Sequence, residues 1–203
     1  MAANPCVLLL RHGETEWNRE ARLQGRDDSP LTARGREQAE SLARFAASLG
    51  ARRVISSPLG RARSTATVIA AACGVPLELA DALVEIDFGA CSGGTMAEGE
   101  RRFPGLIEAR QRDRWHHPWP AGESYVEVLA RAAGWLAEAG ELRSDPPTVI
   151  VAHQSLHRAL RVALGVSTRV EALQGAQSAD EVFRVDAEGR VEMLSVGAVL
   201  DSG

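Results

Sequence analysis

The sequence predicts an α/β fold: a three-layer sandwich with a mostly parallel central sheet and helices on both faces. Three observations carry this. Short, largely apolar runs at Cys6–Leu10, Arg53–Ser56 and Thr148–Ala152 read as buried strands. Longer segments with the 3.6-residue spacing of helices separate them. Near the C-terminus, Val182–Val185 and Val191–Leu194 flank Asp186-Ala187-Glu188-Gly189, the pattern of a closing hairpin.

Cys6–Leu10 ends at a polar turn with Gly13, so the first strand stops there. Thr32 caps a helix whose apolar positions Ala39, Leu42, Ala43, Phe45, Ala46 and Leu49 share a face, and Gly50 ends it. Arg53–Ser56 is the second strand, and a helix from Leu59 to Ala72 follows, closed by Gly74 with Pro76 just beyond. Leu77–Leu79 is a short strand candidate. The stretch 92–123, rich in Gly and Pro, holds helical pieces at Met96–Arg102 and Leu106–Arg114. Helical spacing returns over Ser124–Ala139, and after the Ser144-Asp145-Pro146-Pro147 loop comes the strand Thr148–Ala152, then a helix over Leu156–Leu164. The pattern contains no internal repeat.

With 203 residues, 45% of them hydrophobic, the chain can bury a full core, and one domain over 1–203 is expected, with 92–123 as a substrate-lid insertion. The formal charge of −4 argues against a nucleic-acid surface or a polybasic membrane patch. All 23 basic residues are arginine, so an isolated Arg carries little information and only one in a demanding context counts. Cys6, Cys73 and Cys91 have neither disulfide nor metal spacing, which fits a reducing compartment. Met1–Pro5 lacks a basic leader and Cys6–Leu10 is too short for a signal or a membrane span; a cytoplasmic protein is expected.

In parallel sheets ligands bind at the carboxyl ends of strands. Arg11-His12 and His153 each lie just past a strand end. A neutral imidazole beside an obligate cation suits attack on a phosphoryl group, because the guanidinium grips two phosphate oxygens at once. Ser56-Ser57-Pro58-Leu59-Gly60-Arg61 enters a helix whose first turn adds positive dipole, and Glu85-Ile86-Asp87-Phe88-Gly89 brings carboxylates.

The ordered set Leu9–Asn18, Leu23-Gln24-Gly25, Asp28-Ser29-Pro30-Leu31-Thr32, Gly35, Gln38-Ala39, Ser56–Ala62, Thr65-Ala66, Glu85–Gly89, Gly122-Glu123-Ser124 and Val151-Ala152-His153 with Arg158 resembles the histidine phosphatase superfamily, in its phosphoglycerate-mutase-like branch. The resemblance implies roles. His12 would be the nucleophile, forming a phosphohistidine; Arg11, Arg61 and His153 would line the phosphate pocket with Asn18 as a further donor, and Glu85 would serve as acid and base. Gln24, Gly25 and Gln154 would contact substrate. Neither metal nor cofactor is implied, and the partner would be a small phosphomonoester.

The chain departs from the family pattern twice. Gln154 stands where the family usually has Gly, and Cys91-Ser92-Gly93-Gly94 replaces a Trp-Glu-Gly run, so Ser92 sits in place of a carboxylate. Mutases of this family carry extra residues between the acid and the second histidine, and the span from Glu85 to His153 is too short for them. Hydrolysis is therefore favoured over mutase-type phosphotransfer, with an idle phosphate-binding module as a further alternative.

Other readings stay open. Asp87 competes with Glu85 as the acid. His153 and His157 have the i, i+4 spacing of a zinc pair, and together with His116-His117 would suit a metal-dependent hydrolase. His116-His117 between Trp115 and Trp119 suits a packed loop or a lid equally, and Glu123 suits a cap or a pocket residue. Arg101-Arg102, Arg110, Arg112 and Arg114 hint at a second anionic group on the substrate, although solvated helix faces would look the same. An exposed edge strand would permit a homodimer.

Overall fold

The structure, a computed structural model, describes residues 5–197. Among these residues six strands form one sheet in the order β3-β2-β4-β1-β5-β6: β1 (Cys6–Arg11), β2 (Arg53–Ser56), β3 (Leu77–Leu79), β4 (Thr148–Ala152), β5 (Glu181–Asp186) and β6 (Val191–Ser195). β3, β2, β4 and β1 run parallel, and β5 and β6 close the sheet as an antiparallel hairpin beside β1. The expected mostly parallel sandwich is what the chain adopts.

The period of two along each strand sorts the core into two layers. Leu8 and Leu10 of β1 and Val149 and Val151 of β4 face α2 (Ala33–Ser48) and α3 (Gly60–Cys73). Val7, Leu9, Ile150 and Ala152 face the other layer, where α6 (Tyr125–Glu138) and α7 (Gln154–Ala163) contribute Tyr125, Val128, Leu156 and Leu160. Leu8, Leu9 and Leu10 are all fully buried, each contributing about 1.5–3 kcal/mol. After β1 the chain turns to α2 on one face; after β4 it turns to α7 on the other. The neighbouring ends of β1 and β4 therefore open a crevice at the point where the winding reverses.

Four helices depart from the sequence reading by more than one residue. α1 (Glu16–Arg19) and α8 (Arg169–Leu173) are too short to show periodicity, and each forms on a capping box, Thr15 with Asn18 and Thr168 with Glu171. α7 begins at Gln154 rather than Leu156, because His153 is its extended N-cap. The pieces of the 92–123 stretch are α4 (Met96–Arg102) and α5 (Leu106–Arg112); α5 stops early where the Asp113 carboxylate takes the His116 N–H. Among the described residues no helix is long and apolar enough to cross a membrane.

Candidate active site

The ends of three adjacent parallel strands set the site. The His12 N–H donates to the Ala152 carbonyl at 3.2 Å, and the Ser57 N–H to the Val151 carbonyl at 3.0 Å, so His12, His153 and Ser57 follow β1, β4 and β2 in a row. Behind His12 the backbone leaves no space for side chains. A Cβ on Gly13 would lie inside the Gly35 carbonyl, and one on Gly35 inside that of Glu14. This contact seats the first turn of α2, capped by Thr32, directly on the histidine loop. Thr65 completes it, accepting the Gly13 N–H at 3.1 Å.

His12 Nδ1 lies 2.8 Å from its neighbour's carbonyl at Gly13, which fixes the tautomer with the proton on Nδ1 and the lone pair on Nε2. Arg61 Nε donates to that lone pair at 3.2 Å. Burial, and then the nearby Arg61 and Arg11 cations, hold the imidazole well below its ordinary pKa, so His12 is neutral at neutral pH. A neutral, oriented imidazole beside a guanidinium is chemically competent to attack phosphorus.

Arg61 is 2% exposed and anchored on all sides. Its Nη1 donates to the Asp27 carbonyl at 2.6 Å and to Asp28 Oδ1 at 3.0 Å, and its Nη2 to the Gly25 carbonyl at 2.7 Å. The Asp28 carboxylate also accepts the Gly60 and Arg61 N–H groups, capping α3 where Leu59 offers no side chain. Gly25 thus holds Arg61 through its carbonyl.

His153 is placed differently from the sequence expectation. Its ring is fully buried, with its centroid 5.3 Å from that of His12, and it is not on the cavity wall. Its Nε2 pairs with Ser57 Oγ at 2.8 Å, while its Nδ1 has no partner among the described residues. Burial, then Arg61 and His12, push its pKa well below the usual value. Ser57, which the sequence shows only as part of the Ser56-Ser57-Pro58 motif, is therefore the residue that orients His153.

Arg11 Nη1 donates to the Gln177 carbonyl at 2.8 Å. The same residue's N–H donates to Gln154 Oε1 at 2.8 Å, which leaves the Gln154 amide nitrogen as the free end at the cavity. Through its own side chain Gln177 bonds His157 Nδ1, the Leu9 carbonyl and the Glu181 carbonyl. The sequence held no signal for Gln177, since all these contacts except that to Glu181 join residues far apart in the chain. His157 is buried, and its pKa falls to about 4 for that reason first.

Glu85 is 7% exposed and accepts three backbone N–H groups: its neighbour Ile86 at 2.9 Å, and Ser155 and Leu156 at 3.1 Å each. It caps α7 from outside, supplying the acceptor that His153 does not. Arg131 Nη2 holds the Glu85 carbonyl at 3.1 Å and its Nε reaches Glu123 at 3.2 Å. Glu123 also accepts the Asp87 N–H and a bond from Arg26, so it braces the Glu85 loop from outside the cavity. Asp87 structures the loop, accepting the Gly89 N–H at 2.7 Å.

A cavity of about 670 Å³ opens at this point, within the range of small-molecule sites. His12, Arg11, Arg61 and Glu85 share its wall with Asn18, Gln24, Gly25 and Gln154. Asn18 Oδ1 takes the Thr15 N–H, which turns the amide nitrogen outward as a donor. Gln24 Nε2 donates to Thr15 Oγ1 at 2.7 Å, and its Oε1 is buried without a partner among the described residues. The 92–123 stretch adds Met96, Ile107, Arg110, Gln111, Arg114 and Trp119 to the wall. Arg110 is buried, which lowers its pKa to about 10 and leaves it a cation at neutral pH. Trp115 and Trp119 are core residues, while His116 pairs with Asp113 on the surface, away from the cavity. Among the described residues no three His, Cys, Asp or Glu side chains cluster as metal ligands.

Residues 7–186 match the histidine phosphatase superfamily (branch 1). A probable phosphoglycerate mutase, GpmB, of Salmonella paratyphi C is 40% identical over 153 residues, spanning 72% of this chain and 68% of that protein. The solved structure of a mycobacterial glucosyl-3-phosphoglycerate phosphatase is similar with a TM-score of 0.82 at 29% identity, covering 94% of this chain and 98% of that one. A putative alpha-ribazole-5'-P phosphatase from Escherichia coli K-12 shares the fold, with a TM-score of 0.80 at 22% identity over 94% and 95% of the two chains. The family match runs from the first strand to the end of the fifth, and the chain belongs to branch 1 of the histidine phosphatase superfamily.

Proposed function

We propose that this chain is a metal-independent phosphatase that hydrolyses a small phosphomonoester through a phosphohistidine on His12. One observation carries the reading: a neutral imidazole presents its Nε2 lone pair to the guanidinium of Arg61 at the wall of a cavity. A phosphate entering there takes the Arg61 donor away from His12 and frees the lone pair. Nε2 then forms a bond to phosphorus as the ester P–O bond breaks, and protonated Glu85 gives its proton to the leaving oxygen. In the second half water attacks the phosphohistidine, the P–N bond breaks, and the Glu85 carboxylate takes the water proton. Phosphate leaves, and His12 and Glu85 return to their starting states.

Arg11 and Arg61 neutralise the phosphoryl oxygens, the larger part of catalysis for this reaction class. Asn18 and Gln154 add amide donors. His153 acts from behind the wall, as a neutral ring against His12 held by Ser57. Support for hydrolysis comes from the glucosyl-3-phosphoglycerate phosphatase, similar over nearly all of both chains and also solved with inorganic phosphate.

The 40% identity to a probable phosphoglycerate mutase favours a second reading, in which the phosphoryl group returns to an acceptor. The two differ in what intercepts the phosphohistidine. Phosphate release from a panel of phosphomonoesters, with excess chelator present and His12→Ala as control, tests the choice. Chelator-resistant, His12-dependent release is expected. Isomerisation of phosphoglycerate without release supports the mutase, and absence of both overturns the enzymatic reading.

A further inference from the structure

Away from His12 and Arg61, the same cavity holds positive charge that the phosphoryl chemistry does not use. Among the described residues, six arginines and a single carboxylate, Glu85, line it. Three of the six stand together. The Arg110 guanidinium lies 4.1 Å from the Trp119 ring centroid, with Nη1 on the His117 carbonyl at 2.6 Å. Arg114 lies 5.9 Å from the Tyr125 ring centroid. Arg158 donates from Nη1 to the Tyr125 hydroxyl at 3.0 Å and from Nη2 to the Gly175 carbonyl at 2.7 Å. Its Nε is buried without a partner among the described residues.

None of the three has a carboxylate within ion-pair distance among the described residues, whereas Arg101 pairs with Glu98 and Arg112 with Glu108 on the outer surface. Arg110 is 6% and Arg158 7% exposed. Removing a guanidinium from water is costly unless an anion answers it. Ring faces and carbonyls answer these cations only in part, and the apolar wall of Met96, Ile107 and Leu173 strengthens any charge brought to them.

We propose, resting on the phosphomonoesterase reading, that Arg110, Arg114 and Arg158 form a second anion subsite. The substrate then carries a second anionic group, a carboxylate or a further phosphoryl group, on the skeleton that bears the transferred phosphate. The phosphate sits at His12 and Arg61, and the second anion is held at the Tyr125 end of the cavity.

Binding to the His12→Ala protein, measured by calorimetry, tests the subsite independently of turnover. 3-Phosphoglycerate and glycerol 3-phosphate differ by a carboxylate in place of a hydroxymethyl group. Fructose 1,6-bisphosphate and fructose 6-phosphate differ by a second phosphoryl group. In at least one pair the doubly anionic member is expected to bind about tenfold tighter or more. Arg114→Ala, an exposed position whose loss spares the core, and Arg110→Met should each bring that ratio toward one; Arg63→Ala, on the outer face of α3, should not. The pair with the larger ratio tells carboxylate from phosphoryl. Ratios near one in both pairs, or a ratio that survives Arg114→Ala and Arg110→Met, overturn the subsite. Discrimination in binding without turnover by the native protein overturns the phosphatase reading and leaves the subsite standing.

Discussion

Arg61 Nε donates to His12 Nε2 across 3.2 Å, so the proposed nucleophile is covered by the cation proposed to receive the phosphate. On that proposal, binding and activation are one event. Asp28 makes this possible, since it holds the guanidinium while capping α3 on which Arg61 rides.

Arg61→Ala should therefore lower kcat by roughly 10²–10³-fold, the usual loss when a donor to developing charge is removed. Arg61→Lys should recover little, because an ammonium cannot span His12, Asp28 and the Gly25 carbonyl together. Steady-state kinetics on a phosphomonoester that the chain turns over checks both, and a Lys variant near native rates would contradict the account.

Glu85 caps α7 and is the proposed acid, which predicts two separable losses. Glu85→Ala strips the acceptor from the Ser155 and Leu156 N–H groups and should cost about 1–3 kcal/mol of stability by chemical denaturation. Glu85→Gln keeps an oxygen for α7 but has no exchangeable acid proton. It should slow alkyl esters far more than activated aryl esters, which leave without protonation. Equal losses on both ester types would remove Glu85 as the acid.

Much of this was legible in the residues, and what was hidden was hidden for a physical reason. The Leu8–Leu10 strand and the Arg11-His12 turn are local, so spacing alone reveals them. The Asp28 cap on α3, the Ser57 bond to His153 and the Gln177 hub each join residues far apart in the chain, and no periodicity encodes them. The start of α7 escaped because its cap comes from Glu85 rather than from the residue before the helix. Five arginines of the 92–123 stretch read alike in sequence; only folding separates Arg110 and Arg114 at the cavity from Arg101, Arg102 and Arg112 outside it.

Acid should destabilise the fold through its buried histidines. His12, His153 and His157 are all held neutral, each with a folded pKa below the ordinary 6.5. The unfolded chain binds protons below that pH while the native state does not, so stability is fully present above about pH 6.5 and is lost as pH falls toward the folded values. The slope is about 1.4 kcal/mol per pH unit for each histidine, roughly 4 for the three. Urea unfolding at pH 7, 6 and 5 measures it, and constant stability over that range would count against the burial described.

Asn18 has its carbonyl oxygen fixed on the Thr15 N–H, so Asn18→Ala removes the amide proposed to donate to a phosphoryl oxygen. The loss in kcat/KM should be about 1.5–3 kcal/mol. A variant as active as the native chain would place the amide outside the reaction.

The central claim is a covalent bond from His12 to phosphorus. Rapid acid-free quenching of the protein during turnover of a labelled phosphomonoester, followed by peptide mapping, reads it directly. An alkali-stable, acid-labile label on the peptide that contains His12, absent from His12→Ala, is the expected result. Turnover with no label on that peptide, or the same label in His12→Ala, would contradict it.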